Sequence, residues 1–355
     1  MINIITLHDI CNPGSVFQAY ALNKYIIDCG YDCKIIDYVP SYSHIGSNKI
    51  KGIIKNILFG RTQKRIKDKY RRFIVNNIRI TKKMYSDYSE LSKDCPKADL
   101  FIAGSDQLWN RTYDCGNDEA FYLSFVQDLP KISYATSLGK KEVSEEDLNF
   151  IANRIKDYNY ISVRENSSCE MLKEKVGKDV NWVCDPVFLL KNEDYLKFST
   201  PRLNDKYIVV YLSSASKLLE EVLLFARKSG YKIVLLGGNI TRCTCDIHVK
   251  DMGPEDFISY ISNAEVIISS SFHATAFAHI FEKKFGVILP PSNGERIESL
   301  LSISQLESRI INNADDFSRV FSEIDYTNIS KRLQSFIVSS KDYLNDAIKK
   351  SLRSN

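Results

Sequence analysis

MINIITLHDICNPGSVFQAYALNKYIIDCGYDCKIIDY, residues 1–38, is the stretch that determines the fold class. Residues 2–6 are a short apolar run that predicts a buried strand, and residues 16–29 have the apolar spacing of a helix that stops at Gly30. A second apolar run follows at Cys33–Tyr38. This strand–helix–strand order is typical of a parallel α/β sheet, whose ligands bind beyond the carboxyl ends of the strands. The loop after the first strand is therefore a candidate binding loop, with His8, Asn12 and Gly14.

The alternation of strand and helix patterns continues along most of the chain. Apolar runs predict strands at residues 99–103, 132–135, 160–163 and 180–184, and, after a polar stretch, at 207–212, 232–236, 265–269 and 285–289. Helical patterns separate the later strands, at residues 216–229, 254–262 and 274–283. We therefore predict two α/β domains, a linker and a helical tail that returns to the first domain. Their bounds are 1–190 for the N-terminal domain, 191–205 for the linker, 206–327 for the C-terminal domain and 328–355 for the tail.

Basic residues are concentrated in one segment. The 355-residue, 40.7 kDa chain has 48 basic and 44 acidic residues, yet residues 49–83 contain thirteen Lys or Arg and a single acid, Asp68. The rest of the chain is acidic on balance. A dedicated nucleic-acid binder would spread basic charge over its binding domain, so we expect no nucleic-acid partner.

The basic segment also has a helical apolar stripe, at Ile50, Ile53, Ile54, Ile57 and Leu58, with lysines on another face. Two interpretations stay open. The helix would either pack on the domain core with its lysines solvated, or lie on an anionic membrane surface.

The sequence predicts no membrane-spanning helix, because no run approaches the required length of about 20 apolar residues. The N-terminus lacks the basic start of a signal peptide, and the nine scattered cysteines fit reduced thiols better than a disulfide framework. We predict a cytoplasmic protein, peripheral at the inner face of the membrane if segment 49–83 binds lipid. Cys243, Cys245 and His248 do not have a zinc-binding spacing, so we predict no metal site.

A strand-to-helix turn in the second half has the chemistry of an anion site. Ser269, Ser270 and Ser271 follow an apolar strand and precede a helix, so that hydroxyls and backbone N–H groups gather at one point. His273 falls in the first helical turn, as a candidate proton donor or a structural cap. Arg164, at the end of an earlier strand, has a planar fork that suits a carboxylate or phosphate, unless it forms a surface pair with Glu165. Arg296 is a weaker candidate of the same kind.

A second polar turn follows the strand that ends at residue 103. Asp106, Gln107 and Asn110 have side chains that hydrogen-bond sugar hydroxyls, and Trp109 would offer an apolar face to a pyranose ring. A turn built around a buried tryptophan is the alternative.

Several short motifs together resemble the polysaccharide pyruvyl transferase family, and they occur in order along the chain. They are Asn12-x-Gly14 with Gln18-Ala-Tyr-Ala-Leu22, Gly104-Ser-Asp-Gln-Leu-Trp-Asn110, Tyr134-Ala-Thr-Ser-Leu-Gly139, Ile161-Ser-Val-Arg-Glu165, Asp185-Pro186, and Asn263-Ala264 leading to Ser271-Phe-His273. Three positions depart from the family pattern: Pro13 replaces the usual aromatic residue, Ser270 an acidic one and Ala274 a glycine.

The resemblance implies a GT-B-like fold of two Rossmann-like domains facing a cleft. It also implies transfer of the enolpyruvyl unit of phosphoenolpyruvate, without a cofactor, to a sugar of a lipid-linked oligosaccharide in capsule or exopolysaccharide biosynthesis. His273 would then protonate the donor, and Asp106 would remove a proton from the attacking hydroxyl. The resemblance assigns donor binding to Arg164, Ser269, Ser270, Ser271 and Arg296, and acceptor binding to His8, Asn12, Gly14, Gln107, Trp109 and Asn110.

Two other functions stay open at this point. One is a GT-B glycosyltransferase with a nucleotide-sugar donor, for which Glu255 or Asp256 would bind the ribose. The other is a non-catalytic protein that binds glycans or anionic lipid.

Overall fold

The computed structural model describes residues 1–44, 49–212, 217–237, 244–290 and 294–353, with only the backbone described for residues 43, 44, 49–59 and 330. The chain forms two compact units. Unit 1 comprises Met1–Gly60, Tyr70–Leu190 and Ser335–Asn355, and unit 2 comprises Arg61–Lys69 and Lys191–Gln334.

The described strands and helices alternate through both units. The strands are β1 (Ile2–Ile5), β2 (Cys33–Tyr38), β3 (Ile80–Tyr85), β4 (Leu100–Ala103), β5 (Lys131–Ser133), β6 (Ile161–Val163), β7 (Val180–Trp182), β8 (Tyr207–Tyr211), β9 (Lys232–Leu236), β10 (Ile247–Val249), β11 (Val266–Ser269) and β12 (Lys284–Val287). The α-helices are α1 (Pro13–Asp28), α2 (Lys49–Asn77), α3 (Tyr88–Lys93), α4 (Glu145–Ile155), α5 (Asn166–Val176), α6 (Glu193–Leu196), α7 (Lys217–Lys228), α8 (Pro254–Asn263), α9 (Phe272–Ile280), α10 (Glu295–Ser304), α11 (Phe317–Phe321) and α12 (Tyr326–Arg353).

Unit 1 is built on a parallel sheet in the order β3-β2-β1-β4-β5, and β6 and β7 pair in parallel beside it. All four residues of β1 and of β4 are buried, as expected for central strands covered on both faces. Helix α1 begins at Pro13, three residues earlier than predicted. The Asn12 side chain accepts the Gly14 N–H at 2.8 Å, and proline fits the first helical position because its missing N–H is not needed there.

Unit 2 repeats the same strand order with its own strands, β10-β9-β8-β11-β12, all parallel. Its core gathers aliphatic side chains of β8, β9 and β11 with those of α7. The predicted α/β fold class with two Rossmann-like sheets is therefore confirmed.

The segment 191–205, predicted as a linker, belongs to unit 2 and carries helix α6. The physical reason is the burial of Tyr195, whose ring packs edge-on against Phe277 with centroids 5.0 Å apart. Helix α12 begins in unit 2, and from Ser335 onward it belongs to unit 1. The tail bounds of 328–355 stay a prediction.

The basic segment 49–83 contains all of helix α2 and the start of the edge strand β3. The predicted apolar stripe, Ile50 to Leu58, lies outside the described side chains. Further along α2, Tyr70, Phe73 and Ile74 are buried, and the Phe73 ring packs against Phe17 with centroids 5.2 Å apart. Exposed basic side chains precede them, at Arg61, Lys64, Arg65 and Lys67.

Within the described residues, none of the helices has both the length and the apolar content that crossing a membrane requires.

Candidate active site

The loops after β1 and β4 meet at the point where the strand order of unit 1 reverses. Chain progression runs from β1 outward to β3 and then resumes at β4 on the other side of β1. The two loops therefore flank a switch point of the strand order, the place where open α/β sheets bind ligands. The Thr6 hydroxyl donates to the Ser105 carbonyl at 2.8 Å. Gly104 allows this approach, because a Cβ there would lie 3.0 Å from Thr6 Cβ. The Gln18 amide ties the loop after β1 to the start of helix α1, by donating to Thr6 Oγ1 at 2.9 Å and to the Ser15 carbonyl at 2.8 Å.

Asp106 lies in the loop after β4 and is buried, with a left-handed backbone, φ 81°. Its carbonyl accepts the N–H groups of Leu108 and Ser137 at 2.8 and 2.9 Å, and its carboxylate accepts the Gln107 N–H at 2.8 Å and the Ser15 hydroxyl. A non-glycine residue in this conformation costs about 1–3 kcal/mol, and such strain concentrates at functional sites. The surrounding bonds therefore fix Asp106 where the topology expects a ligand.

The Arg164 guanidinium lies among three carboxylates, those of Asp106, Glu165 and Asp185. We call these four side chains the charge cluster. The Arg164 residue is only 4% exposed, and its guanidinium pairs with Asp185. Its Nε is 3.8 Å from a Glu165 oxygen and its Nη2 is 4.0 Å from an Asp106 oxygen. Burial alone would lower the pKa of Arg164, but the three negative charges outweigh it and raise that pKa. The alternative of a surface pair with Glu165 is therefore wrong.

A second ionic group, in which His8 and Asp37 are buried, lies at the carboxyl ends of β1 and β2. His8 Nε2 is 3.0 Å from an Asp37 oxygen, and Arg71 donates to both Asp37 oxygens at 2.9 and 2.6 Å and to Asp9 at 3.1 Å. Burial would raise the pKa of Asp37, but the hydrogen bonds from Arg71 and His8 lower it to about 2. Asp37 and Arg71 are absent from the predicted site. A carboxylate in the apolar run Ile35-Ile36-Asp37-Tyr38 was the available indication.

Trp109 is a core residue, so its predicted role as a platform for a sugar ring is wrong. Its side chain is fully buried, stacks on Tyr122 with ring centroids 6.2 Å apart, and donates its indole N–H to the Phe121 carbonyl at 3.3 Å. Asn110 is also buried and donates to the Gln107 side chain at 2.8 Å, which braces the turn from within. Of this turn, half-buried Gln107 stays a candidate for acceptor binding.

The serine turn of unit 2 connects β11 to helix α9. The Ser269 hydroxyl donates to the Tyr211 carbonyl at 2.7 Å and accepts the Ser271 N–H at 2.9 Å, and the Ser270 N–H donates to the same carbonyl at 3.3 Å. Ser271 is the N-cap of α9 and accepts the Ala274 N–H. The hydroxyls of Ser269 and Ser271 are thus engaged in shaping the turn.

His273 follows this turn at the second position of α9 and is 7% exposed. Its ring lies edge-on to Phe272 with centroids 5.2 Å apart, and the Arg296 guanidinium lies 5.9 Å from the centroid of that same phenyl ring. His273 and Arg296 therefore both lie against Phe272, beside the N-terminus of α9, which favours anions.

His279, one helical turn and a half further on, is a packing residue. Its Nδ1 lies 2.8 Å from the Thr275 carbonyl and its Nε2 3.1 Å from the Ser304 hydroxyl. Burial lowers the pKa of His279 to about 4, against the opposing effect of the bond to Thr275. This histidine is neutral at physiological pH and is separate from the chemistry of the turn.

The predicted residues divide between the units. His8, Asn12, Gly14, Asp106, Gln107 and Arg164 lie in unit 1, whereas Ser269, Ser270, Ser271, His273 and Arg296 lie in unit 2. A donor clamp made jointly by Arg164 and the serine turn stays a prediction. Asp256, an alternative ribose ligand, accepts bonds from Lys69, Arg202 and the Gly253 N–H at 2.9, 3.1 and 3.0 Å.

No three His, Cys, Asp or Glu side chains are grouped for metal binding in the described parts of the chain. Cys243 lies outside those parts, and His248 Nε2 lies 2.7 Å from the Gly237 carbonyl.

Comparison with known proteins gives one family and one fold. A family model described as polysaccharide pyruvyl transferase matches residues 12–292. No curated protein matches the chain.

Solved structures with a similar fold include the UDP-GlcNAc 2-epimerases of Neisseria meningitidis and Methanocaldococcus jannaschii. The first, bound to UDP-GlcNAc, has a TM-score of 0.50 and 10% identity over 100% of this chain and 99% of the other. The second has a TM-score of 0.50 and 11% identity over 90% of each chain. The spinosyn forosaminyltransferase SpnP also has a TM-score of 0.50, with 10% identity over 99% of both chains. At such low identity the likeness shows a GT-B-type fold alone.

Proposed function

Because the chain belongs to the polysaccharide pyruvyl transferase family, we propose that it transfers the enolpyruvyl group of phosphoenolpyruvate to a sugar as a cyclic ketal. The observation that carries this proposal is the presence, in one chain, of two chemically different sites at strand ends. Unit 2 has His273 and Arg296 beside a helix N-terminus, which suits an anionic donor. Unit 1 has the carboxylate of Asp106 in the loop after β4, which suits hydroxyl groups.

The proposed reaction balances without an oxidant or reductant. A proton adds to C3 of the donor, a sugar hydroxyl oxygen bonds to C2, and the bond between C2 and the phosphate oxygen breaks. A second hydroxyl of the same sugar then bonds to C2 and closes the ring. The two hydroxyls lose two protons in total. One proton is gained at C3 and one by the departing phosphate.

His273 is the proposed acid that protonates C3, and Arg296 is the proposed partner of the donor's carboxylate or phosphate. A guanidinium holds either group through two parallel hydrogen bonds. The positive end of the α9 helix dipole would add to the attraction for an anionic donor. Asp106 is the proposed base for the attacking hydroxyl, and exposed Asn12 and half-buried Gln107 are the proposed contacts to the acceptor.

We propose a positioning role for Arg164 instead of direct donor binding. The support for this is its charge environment, since three carboxylates of the same unit surround a single guanidinium. A cation held in this way keeps the negative groups, Asp106 among them, in fixed places.

The choice of donor separates this function from a sugar transferase. The protein should be incubated with extracts of lipid-linked oligosaccharide and, in parallel reactions, with phosphoenolpyruvate or with a panel of nucleotide sugars. We expect phosphate release from phosphoenolpyruvate that depends on the extract, and no release of nucleoside diphosphate. The opposite pattern would replace pyruvyl transfer by glycosyl transfer.

We also propose that the protein is cytoplasmic and attaches to an anionic membrane surface through helix α2, where a lipid-linked acceptor would be found. The support is the group of exposed side chains Arg61, Lys64, Arg65 and Lys67 on that helix. Each basic residue near an anionic leaflet contributes about 1 kcal/mol.

Co-sedimentation with vesicles tests this attachment. We expect binding to vesicles of phosphatidylserine and phosphatidylcholine that decreases with salt, and none to phosphatidylcholine alone. A variant with glutamine at the four basic positions should lose the binding, whereas Lys349→Gln with Lys350→Gln, at exposed positions of α12, should keep it. Equal binding by both variants would refute the role of α2.

A further inference from the structure

The second half of helix α12 packs into unit 1, beyond residues 12–292 that the family model matches. Its buried side chains recur on one helical face, at Ile337, Ser340, Leu344, Ala347, Ile348 and Ser351. Among them Ser340 is polar and specifically bonded. Its hydroxyl accepts the Cys184 N–H at 2.9 Å and donates to the Phe336 carbonyl at 2.7 Å.

Two lines of contact run from this helix to the charge cluster. The Phe336 ring packs on Trp182 with centroids 4.7 Å apart, and the Trp182 indole N–H donates to the Arg164 carbonyl at 3.0 Å. Ser340 holds the backbone of Cys184, the residue before Asp185. Phe336 thus acts through Trp182 on the backbone of Arg164, and Ser340 acts on the backbone next to Asp185. Arg164 and Asp185 form one ion pair.

We propose that helix α12 is a positioning element of the unit 1 site, with Phe336 and Ser340 as its positioning residues. They fix the Arg164–Asp185 pair from the backbone side, and Arg164 in turn faces the Asp106 carboxylate at 4.0 Å. A buried ion pair is favourable only in accurate geometry, so a small displacement of either partner changes where the neighbouring carboxylate is held. The kinetic consequence rests on the proposed function, because it requires Asp106 to act on the acceptor.

The two tryptophans of the chain allow a test that needs no substrate. With ¹⁵N-labelled indole groups, Trp182 reports on the contact to Arg164, and Trp109, bonded to the Phe121 carbonyl, serves as an internal reference. Phe336→Leu and Ser340→Ala should each shift the Trp182 resonance and leave that of Trp109 in place.

Ser339→Ala is the matched control. The Ser339 hydroxyl donates to the same Phe336 carbonyl at 2.9 Å, but Ser339 is exposed on α12 and makes no contact with Cys184 in the hydrogen bonds described. This variant should leave both resonances unchanged. A Trp182 resonance that does not respond to Phe336→Leu or Ser340→Ala would overturn the proposal, as would equal shifts of both tryptophans.

Kinetics then test whether the positioning matters for the reaction. With phosphoenolpyruvate as the donor, Phe336→Leu and Ser340→Ala should lower kcat about 10- to 100-fold, the typical result of a small misplacement. The KM for the donor, which is proposed to bind to unit 2, should stay the same. Phe336→Tyr keeps the ring and should restore kcat.

An unchanged kcat in variants whose Trp182 resonance shifts would overturn the positioning role. Absence of turnover in the unmodified protein would reject the proposed function instead. In that case the indole shifts still decide whether α12 positions the Arg164–Asp185 pair.

Discussion

With phosphoenolpyruvate as the donor, turnover is expected to fall about 10²- to 10⁴-fold when His273 is replaced by alanine, the range that a positioned general acid contributes. His273 sits at the N-terminal turn of α9, beside the serine turn and, through Phe272, near Arg296. Phosphoenolpyruvate bound there would have its C3 carbon next to His273, the proposed proton donor. The measurement is kcat from the initial rate of phosphate release.

The control for this variant separates chemistry from folding. His273→Gln keeps a polar side chain, but an amide cannot act as a general acid. This variant should therefore be as inactive as His273→Ala. The thermal unfolding of both variants should remain cooperative, with a Tm close to that of the unmodified protein. Turnover within about twofold of the original would assign the proton transfer to another group.

Replacement of Arg164 by alanine is expected to lower the free energy of unfolding by about 3–5 kcal/mol, because it leaves buried carboxylates without their cation. Asp185 and Glu165 are both buried, and Glu165 also accepts the Ser137 hydroxyl at 2.5 Å. The same variant should lose activity, since Asp106 would no longer have a positive neighbour. Denaturant titration gives the stability, and phosphate release gives the activity.

Two further variants check the cause of this loss. Combining Arg164→Ala with Asp185→Asn should recover part of the stability, because one uncompensated charge is removed together with the cation. Arg72→Ala, at an exposed position of α2 in the same unit, should change the free energy of unfolding by less than about 0.5 kcal/mol. If Arg164→Ala were as mild as Arg72→Ala, the charge cluster would not be the tightly paired group described above.

The fold was largely predictable from local pattern. Central parallel strands are buried on both faces, so β1, β4, β8 and β11 appear in the sequence as short apolar runs separated by helical periodicity. Strand β3 escaped prediction because it is an edge strand, whose Lys82 and Lys83 are exposed and read as part of the basic segment. Lysines at such positions are typical of edges that must not pair with another chain.

The candidate site was predictable only in part, because its partners come from distant parts of the chain. Motif position was enough to select Asp106, Arg164 and His273. The contacts that define Arg164, however, depend on Asp185, 21 residues further on. Those of His8 depend on Asp37, which also accepts hydrogen bonds from Arg71. Only the folded sheet brings these groups together.

For Trp109 the prediction is wrong because its polar neighbours in the sequence indicate an exposed side chain. Its environment is set by Tyr122 and Phe121, which close over the indole from a later segment. The residues next to Trp109 in the sequence do not reveal this contact. An aromatic residue within a polar turn is therefore predicted to be exposed, although it is buried.

The mass of the acceptor after reaction with phosphoenolpyruvate is the decisive measurement for pyruvyl transfer. The modified oligosaccharide should be heavier by one pyruvate less one water, with one phosphate released for each modified molecule and neither change in His273→Ala. Phosphate release without a change in acceptor mass, or an acceptor heavier by a sugar residue, would contradict ketal formation by this protein.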